Sequence, residues 1–276
     1  MGLGRLLRGA AVAAAVTAAV RAAADRQLPG GPERWTRTNH RGEPISLLEG
    51  PAVAAGLAAG ALAGGQGRGR AAGLVATAGA GAFGLVDDLA EDTTTRTKGL
   101  RGHLGALAEG RLTTGGLKVL GIGATSLVAA AVGTRRTGSS SRWVGDVVVN
   151  GALIAGTANL LNLLDLRPGR ALKASAALAT VPVGGSLAAA GTGAVLGAGA
   201  AAWPRDLGES DMLGDGGANA LGALLGTRLA LGLPRPLRLA ALAGVVGLTL
   251  ASEKVSFSKV IAETPWLKAV DDLGRR

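Results

Sequence analysis

Long apolar runs alternate with short polar segments along the chain, at about 3–24, 47–65, 71–89, 117–133, 144–164, 171–189, 190–203, 216–233 and 237–251. About twenty helical residues, at 1.5 Å each, cross the roughly 30 Å hydrocarbon layer of a bilayer. The runs are apolar on every side rather than along one stripe, as expected where a helix meets lipid or other helices all round. They are built largely from Ala and Gly, and small residues let helices in lipid approach closely. Only Gly184-Gly185 and Gly191-Thr192-Gly193 separate the sixth run from the seventh. The pattern predicts an all-α polytopic membrane helix bundle of about nine transmembrane helices, with residues 1–276 forming a single domain. In the tail, 252–276, apolar residues from Val255 through Val260, Ile261, Trp266 and Val270 recur three to four apart between charges. That spacing predicts a C-terminal amphipathic helix on the membrane surface. The first run follows Arg5 and Arg8 and also fits a signal peptide, which would reverse its insertion.

Composition agrees with the pattern. The chain is 48% apolar and only 17% charged, where a soluble domain carries about a quarter charged residues. Its 47 glycines show no Gly-X-Y period, which removes a collagen-like reading. With no cysteine there are no disulfides or thiolate metal sites. The net charge of +10 raises nucleic acid as a partner, but Phe 2, Trp 4 and no Tyr leave no stacking surface, so no nucleic-acid partner is expected.

Charge is also sided. With the N-terminus outside, the segments 25–46, 90–116, 165–173, 204–215 and 252–276 face the cytoplasm and hold about twice as many Lys and Arg as the other side. Of 19 acids only Asp146 falls outside, an asymmetry that the positive-inside preference does not require. The expected location is the plasma membrane, with Trp35, Trp143, Trp203 and Trp266 at span ends as interfacial anchors.

Three acid-bearing segments sit at cytoplasmic span ends. Asp87-Asp88 closes the third run, and adjacent helical side chains point about 100° apart, so one carboxylate can hold a cation while the other faces a substrate. A solvated helix end paired with Lys98 or Arg101 explains the same residues. Asn162 and Asp165 share one helical face, with Asn159 one turn earlier; interhelical hydrogen bonding is the plainer explanation. Asp211 and Gly214-Asp215-Gly216-Gly217 precede the eighth run. There the glycines would let backbone amides reach a phosphate, or Asp215 would simply cap the helix. Converging carboxylates with interleaved basic residues suit Mg²⁺, which needs one or two protein carboxylates when it shares phosphate oxygens. His40 and His103 are too few for a zinc site.

The order of these pieces resembles the polyprenyl-phosphate N-acetylhexosamine-1-phosphate transferases, which include phospho-N-acetylmuramoyl-pentapeptide-transferase-like enzymes. The matching elements are Asn39-His40-Arg41-Gly42-Glu43-Pro44-Ile45, Gly84-Leu85-Val86-Asp87-Asp88, Lys98-Gly99-Leu100, Asn162 with Asp165, and Met212-Leu213-Gly214-Asp215 running into Ala220-Leu221-Gly222. The resemblance implies Mg²⁺-dependent transfer of a phospho-sugar from a UDP-sugar to polyprenyl phosphate, releasing UMP and serving cell-envelope glycan synthesis. It implies Asp87, Asp88 and Asp165 as catalytic residues and Asp215 with Asp88 as ligands of Mg²⁺, or of Mn²⁺ in its place. It implies Lys98, Arg101, Asn159, Asn162, Arg167 and Arg170 as contacts to the lipid phosphate and the nucleotide sugar. Partners implied are the polyprenyl phosphate lipid, the nucleotide-sugar donor and the membrane, with a homodimer left open. Three departures accompany the match, one being Gly216-Gly217-Ala218 where the family tends to Thr-Gly-Ser after Met-Gly-Asp. The family continues Asp-Gly-x-Asp-Gly where this chain has Asp165-Leu166-Arg167-Pro168-Gly169, and its late His- or Arg-rich loop has no counterpart, which points to a small or atypical head group. A non-catalytic relative that binds or carries polyprenyl phosphates, or serves an envelope-assembly complex, is the alternative expectation.

Overall fold

A computed structural model describes residues 2–90 and 113–276, and these are mostly helical. In order they form α1 (Gly2–Arg26), α2 (Pro32–Trp35), a hairpin of β1 (Thr36–Thr38) and β2 (Pro44–Ser46), α3 (Glu49–Gly64), α4 (Gly67–Ala90) and α5 (Thr114–Gly133). There follow α6 (Ser140–Leu164), α7 (Arg170–Ala179), α8 (Ala188–Leu207), α9 (Gly214–Gly232), α10 (Arg235–Ser252), α11 (Phe257–Glu263) and α12 (Pro265–Asp272). Among the described residues α1, α4, α5, α6 and α10 are long and apolar enough to cross a membrane, which fits a membrane protein.

Helix α9 is the axis of the bundle. Its residues 216–230 are buried on every side, against α3, α4, α5, α6, α7 and α8. Small residues make that possible: a Cβ on Gly222 would lie 2.4 Å from the Thr157 carbonyl oxygen. Helix α1 docks in the same way onto α8, where Cβ atoms on Gly193 and Gly197 would stand 2.0 and 2.1 Å from the carbonyls of Leu6 and Ala10. Helix α10 is the opposite case. It packs on α6, buries none of its own residues, and exposes Leu237, Leu239, Val246, Leu248 and Leu250. Such a face is stable in lipid, not in water.

Three expectations change. The sixth apolar run does not form a full-length helix, because α7 stops at Ala179 and residues 180–187 continue without helix as far as α8. Pro182 and Gly184-Gly185 break the run. The freed carbonyls of Leu178 and Val181, with that of Ala188, accept hydrogen bonds from the Arg228 guanidinium. Backbone polar groups inside an apolar bundle need such partners. Trp35 is not at a surface; it is buried with Leu47 and Leu48, its indole donating to the Pro29 carbonyl at 2.7 Å. The tail forms two short helices divided at Thr264-Pro265, where Pro cannot continue the preceding hydrogen-bond pattern.

Candidate active site

The hairpin anchors one end of the bundle. Strand β2 continues past β1 onto the segment before α9, where Ser46 donates from its backbone to Ser210 at 3.0 Å and accepts from Met212 at 2.8 Å. This carries the loop that begins at Asn39 to the start of α9, the element bearing Asp215. Arg37 reaches further and donates to the backbone carbonyl of Asp88.

The first turn of α9 organises the carboxylates. Gly214 has φ +57, a left-handed conformation that L side chains avoid, and a Cβ there would sit 3.0 Å from an Asp88 oxygen. Gly84 removes the other obstacle, since its Cβ would be 2.3 Å from the Asp215 carbonyl oxygen. The end of α4 therefore presses against the start of α9. Asp88 accepts from the backbone amides of Asp215 and Gly216 at 3.0 and 2.9 Å. Asp165, at the C-terminal cap of α6, lies beside the Gly214 amide. Two of the amides expected to meet a phosphate are thus taken by Asp88, which the positive end of the helix dipole favours.

Asp87 and Asp215 meet across a cation. Lys118, near the start of α5, pairs with Asp87 at 2.6 Å and also with Asp215. Two oxygen-donor carboxylates around one positive charge have the chemistry that suits Mg²⁺. Among the described residues, however, no three metal-ligating side chains gather in a metal-binding arrangement.

Behind this group lies a second set of acids. Glu49 opens α3 at 2% exposure, and neither of its oxygens meets a donor. Its charged neighbours are Asp206, Asp211 and Asp165. Asp206 accepts from the Gly169 amide. Asp211 is held by Arg21, whose Nη2 donates at 2.9 Å. One oxygen of Asp165 is buried without a partner. Burial, then the nearby charges of Asp206, Asp215 and Asp88, push the Asp165 carboxyl well above the ordinary carboxylate range. Crowded carboxylates with few donors favour a proton or cation between them.

The remaining expected residues divide. Asn162 is partly buried one turn before Asp165, with no side-chain hydrogen bond to another described residue, whereas Asn159 is exposed on α6. Arg167 lies near His40, whose imidazole is lowered by burial and then by that charge. Arg170 is committed elsewhere: it grips Asp271 of the tail at 2.8 and 2.9 Å and donates to Ser258. Lys98, Arg101 and His103 lie outside the described residues.

The structure therefore brings Asp87, Asp88, Asp165 and Asp215 to one place from three helices distant in sequence. The pattern of runs did not single out Lys118, Glu49, Asp206 or Arg21. Their common signal is a charge one turn inside an apolar run, or at its edge, which is expensive unless used. No protein-family model and no curated protein matches the chain.

Proposed function

We propose that this protein transfers a phospho-sugar from a UDP-sugar to polyprenyl phosphate at the cytoplasmic face of the plasma membrane, as a relative of the polyprenyl-phosphate N-acetylhexosamine-1-phosphate transferases. The observation that carries this reading is the convergence of Asp87, Asp88, Asp165 and Asp215 around the start of α9, with Lys118 between Asp87 and Asp215. In this reading the chain crosses nine times. The sixth crossing is the ten-residue α7 plus the extended stretch to α8, since about 15 Å of helix and the following residues suffice to reach the far end. The N-terminus is outside, and the tail lies on the inner membrane surface with Trp266, Val270 and Leu273 exposed toward it.

Asp215 and Asp87 would hold Mg²⁺, with Asp88 bracing the α9 amides beside them. The ion would supply charge neutralisation at the donor diphosphate. Asp88 fixes the position of Asp215 through the α9 amides, Lys118 balances the pair, and the side chains of Asn162 and Arg167, which make no hydrogen bond to another described residue, would meet nucleotide or phosphate. Asp165, poised to carry a proton in a buried setting, suits a hydrogen bond to a phosphate oxygen. Positioning and charge account for most of such a transfer.

One observation favours the non-catalytic alternative: the Asp215 and Gly216 amides occupy Asp88, and Lys118 pairs with both Asp87 and Asp215. Incubating purified protein with polyprenyl phosphate, Mg²⁺ and a panel of UDP-sugars separates the two. UMP release from at least one donor is expected. Saturable lipid-phosphate binding with no UMP from any donor, and no growth defect from Asp87→Asn, would replace the transferase with the carrier.

A further inference from the structure

At the end of the bundle opposite the carboxylates lies an open cavity of about 980 Å³. Its wall includes Arg68, Arg135, Arg136, Arg228 and Arg238, and Asp146 is its single carboxylate among the described residues. Asp146 is already shared, with Arg235 at 3.5 Å and Arg238 at 3.6 Å. Arg238 also donates to the Asn150 side chain at 2.8 Å, while its Nε is buried without a partner.

Arg228 is the more telling residue. It is 4% exposed, and its hydrogen bonds go to backbone carbonyls rather than to a carboxylate. Those bonds satisfy its donors but leave its charge unbalanced. A buried cation without a counter-charge is costly, and low-dielectric walls concentrate the field of the five guanidinium groups into the cavity. Guanidinium groups match phosphate oxygens in fork geometry and remain charged at every physiological pH. The cavity is also of a size that holds a small ligand or a headgroup.

We propose that this cavity binds a phosphate-bearing anion, with Arg68, Arg135, Arg136 and Arg238 contacting the phosphate and Arg228 supplying charge from behind. The phosphate is either that of an anionic lipid headgroup or a free diphosphate. This site is separate from the carboxylate end and does not depend on the transferase reading.

The test uses the full chain purified in a neutral detergent. Native mass spectrometry compares phosphatidylglycerol with phosphatidylcholine, and equilibrium dialysis follows inorganic diphosphate. Wild-type protein should retain phosphatidylglycerol or diphosphate, and salt should weaken that binding. The double substitution Arg68→Gln and Arg135→Gln, at exposed side chains, should lower affinity about tenfold or more. Arg238→Gln should lower it as well, while Arg26→Gln at the other end should leave it unchanged. Preference for the lipid identifies a headgroup site, and preference for diphosphate identifies a soluble ligand. Retention of neither probe by wild type, or equal affinity in wild type and the double variant with thermal melting unchanged, would overturn the proposal.

Discussion

The two ends of α9 are built from the same small-residue packing yet carry opposite charge. At its start, Asp88 of α4 accepts from the first amides, Lys118 pairs with Asp87 and Asp215, and Arg21 pairs with Asp211. At its finish, five arginines face a cavity with Asp146 as the single carboxylate among the described residues. The helix dipole runs the same way, positive at the carboxylates and negative at the arginines. Between them the Ala- and Gly-rich body offers no chemistry and serves to hold the ends apart. What distinguishes the ends is how charge is balanced. At the carboxylate end Lys118 and Arg21 pair with acids, whereas at the arginine end Arg228 meets only backbone carbonyls among the described residues.

In the proposed transferase, the largest effects should appear where charge develops on a transferred phosphorus. Asp87→Asn and Asp165→Asn should each reduce UMP release by roughly a hundredfold or more, as for lost electrostatic groups in other active sites, with expression and melting little changed. Turnover equal to that of wild type in both variants would remove the carboxylates from the chemistry.

Tail docking should come next. Burial alone would raise the Asp271 carboxyl, but Arg170 and Arg275 outweigh it and hold it below the ordinary carboxylate range. A lowered value in the folded state means the docking contribution is complete above the unfolded value near pH 4 and is lost as pH falls through the folded value. Asp271→Asn should free the tail at neutral pH, a local loss on the order of 3 kcal/mol for a broken buried pair. Hydrogen exchange over 257–272 would show it, and protection equal to wild type would mean that the pair does not hold the tail.

A smaller loss should follow from Gly84→Ala, because the added carbon meets backbone at 2.3 Å rather than a movable side chain. Overpacking of this kind costs roughly 1–3 kcal/mol, seen as a lower melting temperature and weaker metal binding together. Asp25→Asn should do least. Asp25 is 44% exposed and pairs with Arg21, one turn earlier, and with Arg205 at 3.1 Å; a pair that involves an exposed carboxylate contributes about 1 kcal/mol or less.

Much of this arrangement can be read from the chain. The order of apolar runs follows the order of helices, and the sidedness of the acids follows their gathering at one end. Asp87-Asp88, Asp165 and Asp215 stand out because each ends or begins an apolar run. Other features are hidden for physical reasons. Residues 171–189 remain apolar across the break at Pro182, so hydropathy cannot show that Arg228, far along the chain, replaces the missing helical partners. Helix α9 reads as an ordinary run, and only packing reveals it as fully enclosed. Lys118 and Glu49 are single charges without a motif, and their meaning comes from neighbours more than thirty residues away. The hairpin at 36–46 is short and polar, and its pairing with Ser210 and Met212 has no periodic signature.

The carboxylate end is tested most directly by Mn²⁺ binding followed by electron paramagnetic resonance, in the presence and absence of UDP, because this readout needs no knowledge of the sugar. Wild-type protein should hold Mn²⁺ when the diphosphate is present, and Asp215→Asn should lose that signal while melting as wild type does. No Mn²⁺ signal from wild type with diphosphate, or the same signal in Asp215→Asn, would contradict a metal–diphosphate site at the start of α9.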